Sequence, residues 1–313
     1  MDDTCADAGL PAPGVTMDFE ALAKARADFD VLVADVRPQL LRYCARMTGS
    51  AVDGEDIVQE ALAKVYFRLP QLGHVENLRA WLFRVAHNKA LDYLRRYDVR
   101  FGETLEGELP AQTEDSPLDA ADVAEWGLSH FVRLTALQRS CVILKDVLSY
   151  TLEEISEILD VSVPSIKGAL HRGRANLRRQ AAAGDARLAP VLPHDQAALL
   201  GRYVALFNAR DFDALRAMLA EDVQLELVGM TEKSGAADVG GYFHNYARLE
   251  GMRLELGEVD GRLAILAREQ PEDPPVYFLF VRFRDERIRF IRDYRYARYV
   301  FDEAEWTGAT EAR

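Results

Sequence analysis

The sequence predicts a multidomain chain: two all-α modules, the second a helix-turn-helix, followed by an α+β domain. Three observations predict it. Apolar residues recur at three- and four-residue spacing through residues 17–98. Residues 134–180 join a short amphipathic helix to a basic one through a tight turn. Beyond residue 196 the pattern changes, and the run VYFLFVRFRDERIRFIRDYRYARYV is dominated by Val, Phe, Tyr and Ile, residues that favour strands.

Residues 1–16 carry Gly, Pro and Asp without periodicity and read as a disordered tail. The first module, residues 17–98, opens with Phe29, Val33, Val36, Leu40, Leu41 and Cys44, a core-facing stripe. Its second helix, Asp56–Leu69, has Ile57, Ala61, Leu62 and Val65 for packing. That leaves Asp53, Glu55, Asp56, Gln59 and Glu60 outward, where carboxylates near a helix N-terminus are favoured by the macrodipole. A third helix begins near Asn77. Arg84, Asn88 and Arg95 share one of its faces, while Trp81, Leu82, Val85 and Tyr93 read as core. Gly102, Gly107, Pro110 and Pro117 among many acids mark residues 99–125 as a linker.

In the second module, residues 126–181, Leu152, Ile155, Ile158 and Leu159 form one apolar face. Asp160 and Val161 sit at the turn, and Ser162 caps a helix whose first turn tolerates Pro164. Ile166, Leu170 and Leu177 keep the inner side apolar. Ser165, Lys167, His171, Arg172 and Arg174 face outward in a stretch without acidic residues, which suits a phosphate-lined major groove. Residues 182–195 read as a second linker. The C-terminal domain, residues 196–302, starts with a helix through Leu199, Tyr203, Leu206 and Phe207, and Asp285-Glu286 marks a hairpin turn; residues 303–313 read as a tail.

Composition bounds the function. At 313 residues, 49% hydrophobic and 28% charged, the chain has apolar residues enough for two or three cores. No apolar run approaches a membrane span and no signal-peptide pattern opens it, which points to the cytoplasm and away from membranes. Cys5, Cys44 and Cys141 have no metal-like spacing, and Cys44 and Cys141 read as buried thiols. A net charge of −13 would repel duplex DNA. Either the acid is segregated from the DNA face, or a larger basic partner holds the protein on its target.

DIVQEALAKVYFRL (from Asp56), RAWLFRVAHNKALDYLRR (from Arg79) and the helix-turn-helix resemble, in order and spacing, the extracytoplasmic-function sigma factors of bacterial RNA polymerase. The resemblance implies that Asp53, Asp56, Gln59 and Glu60 dock on core RNA polymerase. It implies that Arg79, Arg84, Asn88, Arg95 and Arg96 hold the minus-ten element of promoter DNA, with an unstacked base pocketed by the loop Pro70–Glu76. Ser165, Lys167, His171, Arg172 and Arg174 would hold the minus-thirty-five element. Around Gly168-Ala169 the chain departs from the family, which has bulkier polar or basic residues there.

FNARDFDALRAMLAEDVQL and the closing hairpin resemble SnoaL-like, nuclear-transport-factor-two-like (NTF2-like) domains, which implies a curved sheet wrapped on helices and a regulatory extension. Glu226, His244 and Asp293 are the candidates for a pocket, but no dyad follows from their spacing. Tyr277, Phe278, Phe280, Phe283 and Phe290 read as sheet-to-helix core. No catalytic residue, cofactor or metal is therefore expected. The expected function is an alternative sigma factor, with regulation by its own C-terminal domain or by an anti-sigma factor. Two rivals remain: a polymerase-independent helix-turn-helix regulator with a ligand-sensing tail, and a SnoaL-like enzyme fused to a DNA-binding module.

Overall fold

The computed structural model describes residues 19–68, 77–101, 127–183 and 194–308. The expected N-terminal tail, the loop Pro70–Glu76, most of the acidic linker and most of the second linker lie outside these residues. Two compact units divide the chain, Met1–Asp185 and Ala186–Arg313.

The first unit begins with α1 (Phe19–Thr48), α2 (Ala51–Arg68) and α3 (Leu78–Phe101). The predicted stripe forms their core: Val36, Leu40, Leu41 and Cys44 are fully buried against Val58, Ala61, Val65, Leu82 and Phe83. A β-carbon on Gly54 would lie 2.6 Å from the backbone nitrogen of Ala45, so glycine there lets α2 rest directly on the backbone of α1. One expectation fails: Glu55 is completely buried rather than outward. It lies on the α1 side of α2, where Arg37 forms an ion pair with it and Gln59 donates to it at 3.1 Å. Burial of the charge is offset by those partners.

After α4 (Leu128–Phe131) come α5 (Ala136–Val142) and a single π-helical turn, Ile143–Val147. The helix-turn-helix is α6 (Leu152–Leu159) and α7 (Val163–Ala183). Thr151 and Glu154 form a reciprocal capping box that fixes the start of α6. Asp160 takes a left-handed conformation (φ 55°) at the predicted turn. Ile155, Ile158, Ile166, Leu170 and Leu177 are buried as their spacing required.

The two helical modules, expected as separate domains, belong to one unit. Tyr150 stacks edge-on to Phe83 at 5.2 Å and donates to Gln39 at 3.2 Å. Arg139, 2% exposed, reaches from α5 to the carbonyl of Met47 at the end of α1. These inward-facing groups make a contact surface that helical periodicity within either module does not reveal.

The second unit opens with α8 (His194–Asn208) and α9 (Phe212–Ala217), followed by β1 (Leu219–Leu227) and β2 (Thr231–Ser234). Two short helices, α10 (Ala236–Gly240) and α11 (Tyr242–Ala247), lead to β3 (Arg253–Val259), β4 (Arg262–Arg268), β5 (Tyr277–Arg284) and β6 (Arg287–Asp293). The last described elements are α12 (Arg298–Glu303) and β7 (Trp306–Gly308). The strands form one sheet in the order β2-β1-β6-β5-β4-β3-β7. Only β1 and β6 pair in parallel among the described strands.

One sheet face packs on helices through Tyr203, Phe207, Leu215, Phe243, Ile265, Leu279 and Ile291. This is the α+β architecture that the resemblance implied. Asp285 and Glu286, at φ 50° and 60°, make the predicted turn between β5 and β6. Two expectations change. Residues 303–313 are not simply a tail, because Trp306–Gly308 extends the sheet by pairing with β3. Phe278, Phe280 and Phe290 face away from the helix-packed core. Phe278 stacks on Tyr294 at 4.1 Å and meets Phe301 of α12, since residues alternate faces along β5 and Tyr277, Leu279 and Val281 take the inner one.

Candidate nucleic-acid interface

Helix α3 holds the first group of cations. Asn77 caps it, its side-chain oxygen accepting from the Ala80 amide at 3.0 Å. Arg79 forms an ion pair with exposed Asp35 of α1 and donates to Gln39 at 3.1 Å. Arg84 donates to the backbone carbonyl of Glu157 on α6. Asn88, Arg95 and Arg96 are exposed, and Arg95 bonds Asp92 at 3.3 Å in its own helix, so these three present an amide and two cations to solvent. An amide beside guanidiniums can bond a base edge while the cations hold phosphates.

Helix α7 holds the second group. Ser165, Lys167 and Arg172 are exposed and His171 is half-buried. Gly168, where the family pattern would be bulkier, is covered by its own helix: a β-carbon there would meet the Arg172 guanidinium at 3.4 Å. Arg174 is otherwise employed. It bonds both oxygens of Asp146 at 2.9 and 2.5 Å, and Asp146 is only 8% exposed, so the pair braces α7 against the π turn. The lone basic run in the sequence could not separate this brace from its exposed neighbours.

The acidic residues expected to dock, Asp53, Asp56 and Glu60 with Gln59, lie in the N-terminal part of α2. Ser50 caps that helix by accepting from the Asp53 amide at 3.2 Å, and the Asp53 carboxylate accepts from Tyr93 at 2.8 Å. Glu60 pairs with Lys89 of α3 at 2.6 Å. Asp56 and Gln59 are half-buried on the same helix.

Periodicity gave no sign of a polar seam between α1, α3 and α5. Tyr43 lies 2.7 Å and Ser140 3.4 Å from Nδ1 of His87. Burial pushes the His87 pKa down to about 4, keeping the ring neutral. Burial also raises the thiol of Cys141 to about 12 and that of Cys44 further. Both thiols are free and buried, as expected. Arg139 adds donations to the carbonyls of Val132 at 2.6 Å and Leu134 at 3.1 Å. An arginine among Leu134, Cys141 and Val142 was the available signal for this seam.

Glu226, His244 and Asp293 are not brought together in the C-terminal unit. Glu226 lies on the outer sheet face, paired with Arg292 at 3.0 Å, and His244 is exposed on α11. Asp293 is fully buried on the inner face. Its carboxylate accepts from Tyr246 at 2.6 Å, Tyr242 at 2.7 Å and the Arg295 amide at 2.8 Å. Burial raises its pKa, against the opposing pull of those bonds. A groove of about 430 Å³ on the outer face is lined by Asp222, Gln224, Arg282, Arg289 and Phe290, and includes none of the three. Among the described residues no cluster of His, Cys, Asp or Glu could hold a metal, and no helix is long and apolar enough to cross a membrane.

Comparison with known proteins bears on both helical modules. The Sigma-70 region 2 family matches residues 32–100, and the Sigma-70 region 4 family matches residues 132–177. The ECF RNA polymerase sigma factor SigG of Mycobacterium tuberculosis is 32% identical over 219 residues, which are 61% of this chain and 58% of SigG. This chain thus spans less than two thirds of that relative's length. SigW of Bacillus subtilis, also an ECF RNA polymerase sigma factor, is 28% identical over 167 residues, 49% of this chain and 88% of SigW. The crystal structure of the M. tuberculosis extracytoplasmic function sigma factor SigJ covers 83% of this chain and 93% of its own, at 21% identity and a TM-score of 0.32. The last likeness is too remote to bear on function.

Proposed function

We propose that this chain, which carries sigma-70 regions 2 and 4 and is related to ECF sigma factors, is an alternative sigma factor that brings core RNA polymerase to specific promoters. The observation that carries the reading is the pairing of two family regions, in order, with two separate exposed polar faces: Asn88, Arg95 and Arg96 on α3, and Ser165, Lys167 and Arg172 on α7.

In this reading the polymerase supplies the catalysis and works in the cytoplasm. The α3 face holds the opened minus-ten strand, where bonds and stacking to extruded bases offset the few kcal/mol of unpairing. The α7 helix enters the major groove at the minus-thirty-five element. Asp53, Asp56, Gln59 and Glu60 offer core polymerase an acidic surface. Such docking answers the problem of net charge: at −13 the chain reaches DNA as part of a larger assembly. The C-terminal unit is a regulatory extension with no chemistry of its own. Purified core polymerase and genomic fragments test the reading, with the full chain and with a form lacking residues 194–313, cut ahead of α8. Promoter-specific initiation supports it. Tight binding to duplex operators without polymerase, and no initiation by either form, overturns it.

A further inference from the structure

We propose that the outer face of β1, β6 and β5 in the C-terminal unit binds single-stranded nucleic acid, stacking bases on Phe280 and Phe290 and holding phosphates through Arg282 and its neighbours. The proposal goes beyond the sigma-factor reading, which reads DNA with the helical unit alone. Its first support is charge. Residues 282–298 carry seven arginines against two aspartates and one glutamate, a local net charge of +4 in a chain of −13. Arg282, Arg284 and Arg287 are exposed. A basic patch with aromatic residues interleaved is the footprint of a nucleic-acid surface.

The second support is the pattern on the sheet. The register sets Arg282 of β5 beside Phe290 of β6, and Phe290 beside Gln224 of β1. Two residues along, Phe280 lies beside Arg292, and Arg292 beside Glu226. Rings and guanidiniums therefore alternate across the strands. Phe280 and Phe290 are both half-buried, so each keeps part of its ring in solvent. They sit on a diagonal of about 7–8 Å. Rings on an open sheet face are where splayed bases stack; a duplex keeps its bases paired and offers them none.

The third support is the cation left over. Of the acids on this face, Asp222 pairs with Arg289 and Glu226 with Arg292. Arg282 lies over the Phe290 ring at 5.8 Å. Among the described residues it has no hydrogen bond or ion pair. The groove of about 430 Å³ runs against Arg282, Phe290 and Gln224. A planar cation on a ring, without a counter-anion and beside an amide, fits a phosphate with its base.

The full chain without polymerase tests the surface, with an oligothymidylate, an oligouridylate and a duplex of the same length as probes. Both single strands should bind, and the tighter one identifies the source as DNA or RNA. Ultraviolet crosslinking of the wild-type chain, read by peptide mass mapping, should place their bases on Phe280 or Phe290, and the duplex should crosslink at neither. Phe290→Leu should weaken single-strand binding about fivefold or more. Arg282→Ala should lower the salt slope by about 0.7, one phosphate contact. Thermal unfolding of both variants should stay close to wild type. Crosslinks confined to the helical unit, equal affinity of wild type and Phe290→Leu, or no binding of either strand overturns the proposal and leaves the sigma-factor reading standing. Sedimentation as a dimer that Arg282→Glu dissolves assigns the face to a second copy and overturns it too.

Discussion

Acidification should weaken the helical unit through His87. The ring is 9% exposed, and burial holds its pKa at about 4, against ~6.5 in an unfolded chain. The unfolded state therefore takes up a proton first as the pH falls. At pH 7 neither form is much protonated and the group costs little. Between pH 6.5 and 4 the unfolded chain is stabilised by protonation and the folded chain is not. At pH 5 the difference amounts to about 2 kcal/mol, a large fraction of a domain's stability. Urea unfolding followed by the helical signal at pH 7 and pH 5 measures the loss, and His87→Gln, which cannot ionise, should remove about 2 kcal/mol of it. A direct NMR titration of the ring should give a midpoint well below 5. Equal pH sensitivity of wild type and His87→Gln, or a midpoint near 6.5, would refute the reasoning.

Three other outcomes follow from the geometry. Gly54→Ala places a methyl group 2.6 Å from the Ala45 nitrogen; forcing α1 and α2 apart should cost about 3 kcal/mol or more, read as a lowered denaturation midpoint. Asp293→Leu leaves two tyrosine hydroxyls and the Arg295 amide without their acceptor, at roughly 1–3 kcal/mol each; thermal unfolding of the C-terminal unit should show the loss while the helical unit is unchanged. Arg172→Ala should reduce the salt dependence of minus-thirty-five binding by about one phosphate contact, whereas Arg174→Ala should lower stability and leave the salt slope unchanged, because Asp146 already holds that guanidinium.

Much of the fold was legible because local periods decide it. The stripe from Phe29 to Cys44, the apolar faces of α6 and α7, and the Asp285-Glu286 turn each follow from spacing or turn chemistry within a few residues. The hairpin between β3 and β4 follows from the same turn chemistry, since Asp260-Gly261 takes φ 50° and 70° in the manner that pair favours. What sequence could not give were contacts between elements far apart in the chain. Glu55 looked outward by its charge, yet its helical position turns it to Arg37. Arg174 looked like Arg172 by type, and only the placement of Asp146 separates brace from exposed cation. Glu226 and Asp293 looked like pocket mates, but they lie on opposite faces of the sheet.

The short final strand has a practical consequence for anyone shortening this protein. Trp306–Gly308 covers part of the β3 border. A chain ended at residue 302 would leave that row of amides and carbonyls open, a template on which another molecule can add its own strand. Silence from such a truncation would report clumping rather than lost control, so a cut ahead of α8 is the sounder choice.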